Sequence, residues 1–503
     1  MQSVETVEIH GGALTRDQVV AVVRGGARVE VSPAALDGVA KTRAHVERLA
    51  GAETPTYGVS TGFGALATRH IPTDRRTALQ RSLIRSHAAG AGDPVEPEVV
   101  RGLMLLRLRT LATGRTGVRP VTVETLAALL NAGIVPVVHE YGSLGCSGDL
   151  APLSAVALTL MGEGDVLTPD GLRPAADAMA EHGIAPVTLA EKEGLALING
   201  TDGMLGMLVL ALHDLTRLLD VADLTAAMSV EALLGTDRVF SDDLQQLRPH
   251  PGQARSAARI TALLRGSAIV ESHRGPDCNR VQDAYSLRCA PQVHGAARDT
   301  VSYVEIVADR ELAAAIDNPV VLPDGRVESN GNFHGAPVAY PLDFLAIPTA
   351  DVASMAERRT DRMLDATRSH GLPPFLADDP GVDSGHMIAQ YTQAAIVSEM
   401  KRLAVPASVD SIPSSAMQED HVSMGWSAAR KLRKSIDGLT TVLAIELLTA
   451  ARALDLRAPL TPAPATAAAV AALRRTVPGP GPDRHLAPDI AAAEQLIRSG
   501  DLP

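Results

Sequence analysis

The stretch LGMLVLALHDLTRLLDVADLTAAMSVEALL, residues 205–234, carries apolar side chains at the spacing of a helix, with charged residues interrupting it at intervals. A second stretch, 428–456, repeats this pattern. Val-rich pieces at 27–31 and 320–327 are short and bounded by Pro, Asp or Gly, which is typical of minor hairpins. These patterns predict a mainly α fold, a bundle of long helices with little strand.

Composition narrows the class of protein. The chain has 503 residues, 46% of them hydrophobic, and a formal net charge of −12. A chain of this length can bury a substantial core, which excludes a disordered protein. The acidic balance argues against nucleic acid as a partner, because gripping a phosphate backbone needs a basic surface. One Trp, six Tyr and five Phe also provide few platforms for stacking bases.

Compartment is predicted from the cysteines and the apolar runs. Cys146, Cys278 and Cys289 are odd in number and form no CxxC pair, which favours a reducing compartment over a disulfide framework or a zinc site. Residues 1–12 carry acids where a signal peptide has basic residues. Apolar runs such as 205–212 end well short of the roughly 20 residues of a membrane span. We expect a soluble, cytoplasmic protein that does not bind a membrane.

Three segments are predicted along the chain. The first, 1–200, contains short strands and most of the polar loops, and the second, 201–457, contains the long helices. A Pro-rich run, 458–465, separates a C-terminal helical appendage at 458–503 from the main body. These boundaries are approximate and the segments form one continuous module.

The loop GSLGCSGDLAP, residues 142–152, is the most distinctive of several rich in Gly, Asn, Ser and Thr. Its glycines predict a tight turn, and Asp149 is predicted to cap a helix over 150–161. Such a loop is either a plain structural turn or carries a nucleophilic Cys or Ser activated by a helix N-terminus. The loop itself contains no GxSxG elbow, which weakens the hydrolase form of that idea.

The same loop resembles the signature of the histidine and aromatic amino acid ammonia-lyase family, in which Ala-Ser-Gly-Asp-Leu-Ala-Pro-Leu is usual. Further family-like motifs follow in the family's order, and together they cover about residues 8–456. They are YGVSTGFG (57–64), LQRSLIRSHAAG (79–90), ALINGT (196–201), QDAYSLRCAPQVHG (282–295), DNPVV (317–321), GNFHGAP (331–337) and QEDHVSMG (418–425). The resemblance implies a long central helical bundle of the ammonia-lyase and fumarase-like type, with a smaller N-terminal part that carries short strands.

The resemblance implies a self-made electrophile and no external cofactor. No ordinary side chain is electrophilic enough to assist loss of ammonia from an α-amino acid, and in this family an internal tripeptide cyclises to a methylidene-imidazolone. The matching residues are Cys146, Ser147 and Gly148, with Ser147 supplying the methylene. Gly148 suits a close backbone approach. Cys146 departs from the commonest residue, Ala, but only its backbone carbonyl enters the ring.

Catalytic roles follow from the same resemblance. Tyr57 matches the family's mobile tyrosine, the base at the substrate β-carbon, and Tyr285 matches a second tyrosine beside the electrophile. Arg288 matches the residue that binds the substrate carboxylate, and residues three apart share a helical face. Asn199 matches an amide near the substrate amino group. Taken singly, these residues have ordinary readings as well: packing for the tyrosines, a surface ion pair for Arg288 and a turn for Asn199.

Substrate choice is predicted from other positions. His87, in the Ser-His form typical of the histidine enzymes, and Glu419, an acid near the imidazole in those enzymes, both favour L-histidine. A carboxylate can accept an imidazole N–H, whereas against a phenyl ring it would be a desolvated charge. Alone, His87 also reads as a helix histidine and Glu419 as a capping or paired acid. The remaining candidate substrate-binding residues match polar or pocket-wall positions of the family: Gln282, Asn318 and Phe333.

The implied activity is elimination of ammonia from L-histidine to trans-urocanate, the first step of histidine breakdown, in a homotetramer with shared sites. The alternatives are a tyrosine or phenylalanine ammonia-lyase or aminomutase, and a non-catalytic relative in which Cys146 prevents cyclisation. Two further departures from the family pattern, Ser60 and Asp202, concern substrate positioning. The histidines show no HExxH or paired Cys/His spacing, and no metal site is predicted.

Overall fold

The computed structural model describes residues 5–51, 56–62, 64–66, 68–275, 278 and 281–503. Helices dominate this part of the chain, which confirms the predicted mainly α fold. The helices are α1 Arg16–Val23, α2 Pro33–Ala50, α3 Arg76–His87, α4 Pro97–Ala112, α5 Pro120–Asn131, α6 Leu150–Leu160, α7 Ala175–Glu181, α8 Glu193–Ile198, α9 Asp202–Ala232, α10 Asp242–Gln246, α11 Pro251–Leu264, α12 Ala268–Glu271, α13 Tyr285–Arg288, α14 Ala290–Ala313, α15 Ala336–Leu364, α16 Met387–Leu403, α17 Gly425–Asp455, α18 Pro464–Arg474 and α19 Ala487–Ser499.

Strands in the described residues are short, at most four residues long. They are β1 Thr6–Ile9, β2 Arg28–Val31, β3 Ala91–Pro94, β4 Val135–Pro136, β5 His139–Tyr141, β6 Asp165–Thr168, β7 Gly171–Pro174, β8 Val320–Val321 and β9 Val327–Glu328. β1 and β2 pair in parallel, β4, β6 and β7 form an antiparallel sheet, and β3–β5 and β8–β9 are antiparallel pairs.

The long helices form where the apolar periodicity predicts them. The stretch 205–234 lies almost wholly in α9, and 428–456 lies in α17 apart from its last residue. Local signals set the ends of shorter helices: Thr15 and Gln18 make a capping box at α1, and Ser32 caps α2 ahead of Pro33. Periodic apolar faces and caps are local features, which is why the sequence predicts these elements well.

The chain groups into two compact units. Unit 1 comprises 1–210, 305–343 and 406–430, and unit 2 comprises 211–304, 344–405 and 431–503. Both units combine stretches that are separate in sequence. The division into consecutive segments 1–200, 201–457 and 458–503 remains a prediction. The C-terminal segment belongs to unit 2, where Thr466, Ala469 and Leu473 of α18 are fully buried.

Unit 1 positions the loop at 142–149. Helices α3, α6 and α8 pack against one another, and α4 packs against α5. The loop leads directly into α6, and α8 leads through residues 199–201 into α9. The loop is therefore attached to a rigid, apolar support on which small side-chain displacements are resisted by close packing. Among the described helices, none is both long and apolar enough to cross a membrane.

Candidate active site

Backbone contact between Gly148 and Gly200 defines the centre of the site. The two residues form a parallel bridge, and the Asp149 N–H donates to the Gly200 carbonyl over 2.7 Å. Gly148 has φ of +81°, and a Cβ there would lie 2.0 Å from the Gly200 oxygen. Only glycine fits this conformation and this spacing, as the tight-turn prediction requires.

Asp149 does not cap its own helix. Although it precedes α6, as predicted, its side chain makes no bond to that helix. Its Oδ2 instead accepts the Gly203 and Met204 amides, at 2.9 and 3.0 Å, in the first turn of α9, and its Oδ1 accepts the Ser143 hydroxyl at 2.9 Å. The first amides of any helix lack partners within the helix and attract a carboxylate. Here the amides that the Asp149 side chain reaches are those of α9. Burial raises the pKa of Asp149 to about 7.

Neighbouring segments clamp the loop on its other side. The Gly145 carbonyl accepts the Ser423 hydroxyl at 2.8 Å and the Gly335 N–H at 2.9 Å. The Met424 N–H donates to the Leu144 carbonyl over 2.9 Å. Motif segments far apart in sequence therefore hold the backbone before and after Cys146–Gly148.

The Glu419 carboxylate contacts two members of the predicted tripeptide. The Ser147 hydroxyl donates to Glu419 Oε1 over 2.7 Å, and the Cys146 thiol lies 3.2 Å from Oε2. The Ser414 hydroxyl also donates to Oε2, over 3.0 Å. Burial, followed by the nearby Glu419 charge, raises the pKa of Cys146 to about 12. The thiol is therefore protonated and acts as a donor.

Asn199 lies next to this centre, because it precedes Gly200 at the end of α8. Its Nδ2 donates to the Asn318 carbonyl over 3.0 Å. Its Oδ1 is buried and has no hydrogen-bond partner among the described residues. An unpaired buried acceptor is costly, and it is a ready partner for a donor on a ligand. The Asn318 side chain is held by Ser329 and the Asn330 N–H, each at 3.0 Å.

Two buried ion pairs lie next to the segments that carry Asn199 and Asn318. Lys192 and Asp317, both with fully buried side chains, pair directly before Asn318. Arg107, also fully buried, binds Asp202 and donates to the Ala196 carbonyl over 3.1 Å. The departure at Asp202 thus has a structural explanation, since the acid neutralises an arginine that supports residues 196–202. Burial lowers the pKa of Lys192 and raises that of Asp317.

Tyr57 lies on a turn that packs beside Pro319, the residue after Asn318. The Cβ position of Gly58 is 2.9 Å from Cδ of Pro319, and the Tyr57 hydroxyl accepts the Gly64 N–H at 3.3 Å. The departure at Ser60 is also structural, because its buried hydroxyl accepts the Thr56 N–H at 2.9 Å and closes the turn. Phe63 of this motif lies outside the described residues.

His87 and Phe333 both lie in unit 1. His87 is the last residue of α3, and its Nδ1–H donates to the Leu83 carbonyl over 2.9 Å. Phe333 is half-buried, two residues before Gly335, which binds the 142–149 loop. Each is attached to an element that contacts the loop or its helices: α3 packs against α6 and α8, and the Gly335 N–H binds the Gly145 carbonyl.

Tyr285, Arg288 and Gln282 lie in unit 2. The Arg288 guanidinium is 4.6 Å from the Tyr285 ring centroid, so the two residues do share a face of the short helix α13. Arg288 also donates to the Asp283 carbonyl over 3.0 Å. All three candidates line an open hollow of about 380 Å³ within unit 2, and 71% of the Tyr285 surface is exposed.

The structure thus brings Cys146, Ser147, Gly148 and Glu419 together, with Asn199 joined to Asn318 beside them. Sequence reasoning missed the supporting residues of unit 1. They are Ser143, Ser414, Ser423, Arg107, Lys192 and Asp317. Three of them stand in quoted motifs, and that adjacency was the available signal: Ser143 in GSLGCSGDLAP, Ser423 in QEDHVSMG and Asp317 in DNPVV. Among the described residues, no group of three or more His, Cys, Asp or Glu could hold a metal ion.

Comparison with known proteins agrees with these motifs. The model of a family described as aromatic amino acid lyase matches residues 14–475. The chain belongs to the aromatic amino acid lyase family. The predicted resemblance is therefore confirmed, and with it the carbon–nitrogen lyase class.

Individual family members are similar over nearly the whole chain. Histidine ammonia-lyase of Streptomyces avermitilis is 67% identical over 99% of this chain and 97% of the relative. The crystal structure of histidine ammonia-lyase from Trypanosoma cruzi is 40% identical with a TM-score of 0.90, covering 99% of this chain and 94% of that one. Tyrosine aminomutase from Streptomyces globisporus is 38% identical with a TM-score of 0.93, covering 99% and 97%.

Proposed function

We propose that the protein is an L-histidine ammonia-lyase, which eliminates ammonia from L-histidine to give trans-urocanate. The main support for histidine as the substrate is the contact of Glu419 with Cys146 and Ser147. A carboxylate at this place can accept an imidazole N–H, whereas a phenyl ring offers no donor to the carboxylate oxygen that faces it. The 67% identity to a histidine ammonia-lyase supports the same substrate.

We further propose that Cys146–Ser147–Gly148 forms a methylidene-imidazolone. The Gly148 nitrogen bonds to the Cys146 carbonyl carbon, whose oxygen leaves as water with the Gly148 and Ser147 amide protons. The Ser147 hydroxyl and Cα proton leave as a second water. The positive φ of Gly148, the absence of room for a Cβ there and the clamped backbone on both sides fit this group. When formed, it supplies an electrophilic methylene for the substrate amine.

The remaining roles are assigned to side chains of this chain. Tyr57 takes the β-proton, and the unpaired Oδ1 of Asn199 accepts an N–H of the substrate amino group. Arg288 binds the carboxylate beside Tyr285, since a guanidinium matches a carboxylate in a two-pronged bond. His87, Gln282, Asn318 and Phe333 are proposed to line the substrate pocket.

A homotetramer in the cytoplasm, with subunits sharing sites, is part of the proposal. Exposed apolar side chains at helical spacing support an interface: Tyr303 on α14, Phe344 and Ile347 on α15, and Ile388 and Tyr391 on α16. Surfaces of this kind on a single chain mark contact sites. Native mass measurement should give four copies, and a stable monomer would contradict this part.

The second candidate, a tyrosine ammonia-lyase or aminomutase, is favoured by the TM-score of 0.93 to a tyrosine aminomutase. Ultraviolet monitoring of urocanate from histidine, beside tyrosine and phenylalanine, separates the two. Glu419→Gln should lower kcat/KM for histidine about 10- to 100-fold, because a hydrogen bond to a charged group is lost. Glu399→Gln, an exposed acid paired with Lys434 in unit 2, is the matched control. Turnover of tyrosine in preference to histidine would overturn the proposal.

A further inference from the structure

The Glu419 carboxylate is held by three donors that divide between its two oxygens. Oε1 accepts the Ser147 hydroxyl, and Oε2 accepts the Cys146 thiol and the Ser414 hydroxyl. These bonds orient the Glu419 side chain, which is half-buried between exposed neighbours at 418 and 420.

Ser414 is fixed opposite Glu419 by the backbone. The two residues exchange N–H···O=C bonds of 2.9 and 3.3 Å across a tight hairpin. Residues 415–417 close it with φ of 54°, 53° and 68°, values that residues with a Cβ rarely adopt. The hairpin therefore holds the Ser414 hydroxyl within reach of Oε2 in one geometry.

The Cys146 thiol is a lasting donor. Burial and the Glu419 charge keep its pKa near 12, so it stays protonated. Ring formation uses only the backbone carbonyl of residue 146, and its side chain survives. Alanine, the commonest residue here in the family, has no donor. The Ser147 hydroxyl, in contrast, is lost as water during ring formation, which removes the partner of Oε1.

We propose that Cys146 is a positioning residue for substrate recognition: together with Ser414 it holds Oε2 of Glu419, so that Oε1, vacated when Ser147 loses its hydroxyl, faces the imidazole N–H of histidine. This inference rests on the proposed function. It explains why a cysteine can stand in the tripeptide, since its side chain contacts the residue that selects the substrate. Formation of the methylidene-imidazolone thus also frees Oε1 of Glu419 to accept the imidazole N–H of the substrate.

Kinetics test the role with Cys146→Ala, Cys146→Ser and Ser414→Ala. The control is Ser499→Ala, because the Ser499 hydroxyl at the end of α19 binds only local backbone: it donates to the Leu496 carbonyl and accepts the Asp501 N–H among the described residues. Intact mass first establishes that each variant has lost two waters. We expect Cys146→Ala to raise KM for histidine about 3- to 10-fold with kcat nearly unchanged, because a bond that orients the bound imidazole equally in ground and transition states is lost. Cys146→Ser, which keeps a donor, should return KM to within about twofold of wild type.

An unchanged KM in both Cys146→Ala and Ser414→Ala would overturn the inference, as would equal losses in Cys146→Ala and Cys146→Ser. A purely structural role would instead lower kcat or the extent of ring formation without rescue by serine.

Infrared spectroscopy tests the contact without turnover. Subtracting the Cys146→Ala spectrum isolates the S–H stretch of Cys146, and Glu419→Ala should move this band to higher frequency as the thiol loses its acceptor. An S–H band at the same frequency in Glu419→Ala and wild type would contradict the inference. The infrared measurement does not depend on turnover. If the wild-type protein fails to convert histidine, the proposed function is wrong, and the spectrum still shows whether the Cys146 thiol binds the Glu419 carboxylate.

Discussion

Gly148 and Gly200 lie opposite one another in a parallel bridge, and a Cβ on Gly148 would be 2.0 Å from the Gly200 oxygen, which accepts the Asp149 N–H. The contact joins the 142–149 loop to the start of α9. It keeps the chain at Gly148 in a left-handed conformation from which the Gly148 nitrogen is proposed to attack.

Gly148→Ala should therefore abolish ring formation and destabilise the fold by about 2 kcal/mol or more, since strain and a backbone clash add. Gly133→Ala is the matched control: Gly133 also has a positive φ, of 70°, but nothing lies within 4 Å of its Cβ position. It should cost only about 1 kcal/mol and leave the mass loss of two waters intact. Urea unfolding and peptide mass measure both, and equal effects of the two variants would contradict the steric argument.

Asp149 should make stability depend on pH. Its pKa of about 7 in the fold exceeds the unfolded value of about 3.9, so the folded state binds the proton more tightly, and stability contributed at low pH is lost as pH rises from about 4 to 7. Asp149→Asn keeps an acceptor for α9 and removes this titration. Its unfolding free energy relative to wild type should rise across that window, by at most about 1.4 kcal/mol per pH unit. A constant difference would refute the assignment.

Cys146 should resist alkylation. With a pKa near 12, its thiolate fraction at pH 8 is on the order of one in ten thousand, and the side chain is buried. Cys278 is exposed and serves as the internal control. Peptide mass after iodoacetamide between pH 7 and 9 should show a modified Cys278 and an intact Cys146. Comparable labelling of both would mean that the thiol does not carry its proton.

Arg107 should be essential for stability because Asp202 would otherwise be buried without a partner. Arg107→Met is expected to cost about 3–5 kcal/mol in unfolding free energy. Adding Asp202→Leu should recover part of that loss. Arg173→Met, which breaks the exposed pair with Glu181, should leave the unfolding midpoint unchanged. A small effect of Arg107→Met would show that solvent reaches the pair.

Tyr57→Phe should lower kcat by about 10²- to 10⁴-fold, the usual contribution of a general base, with little change in KM. Tyr141→Phe, at an exposed position in β5, is the control and should keep full activity. Loss of the two waters should be normal in both variants. Retention of kcat in Tyr57→Phe would exclude it as the base.

The sequence by itself determined the helices and the chemistry-bearing positions. Apolar periodicity predicts α9 and α17 because helix formation and burial of one face depend on neighbours within a few turns. The motif residues were recognisable because the proposed reaction needs particular side chains: Tyr57, Ser147 and Glu419.

Only the tertiary structure decided how those residues are supported. Asp149 caps α9 and not its own helix, Asp202 neutralises Arg107, and Ser414 shares Glu419 with Cys146. These pairs are separated by up to hundreds of residues, and a buried polar group can be satisfied by any partner that the fold brings near. The local sequence shows which polar groups need partners. The partners themselves are determined by the folded chain, because hydrogen bonds and charge neutralisation depend on distance in space.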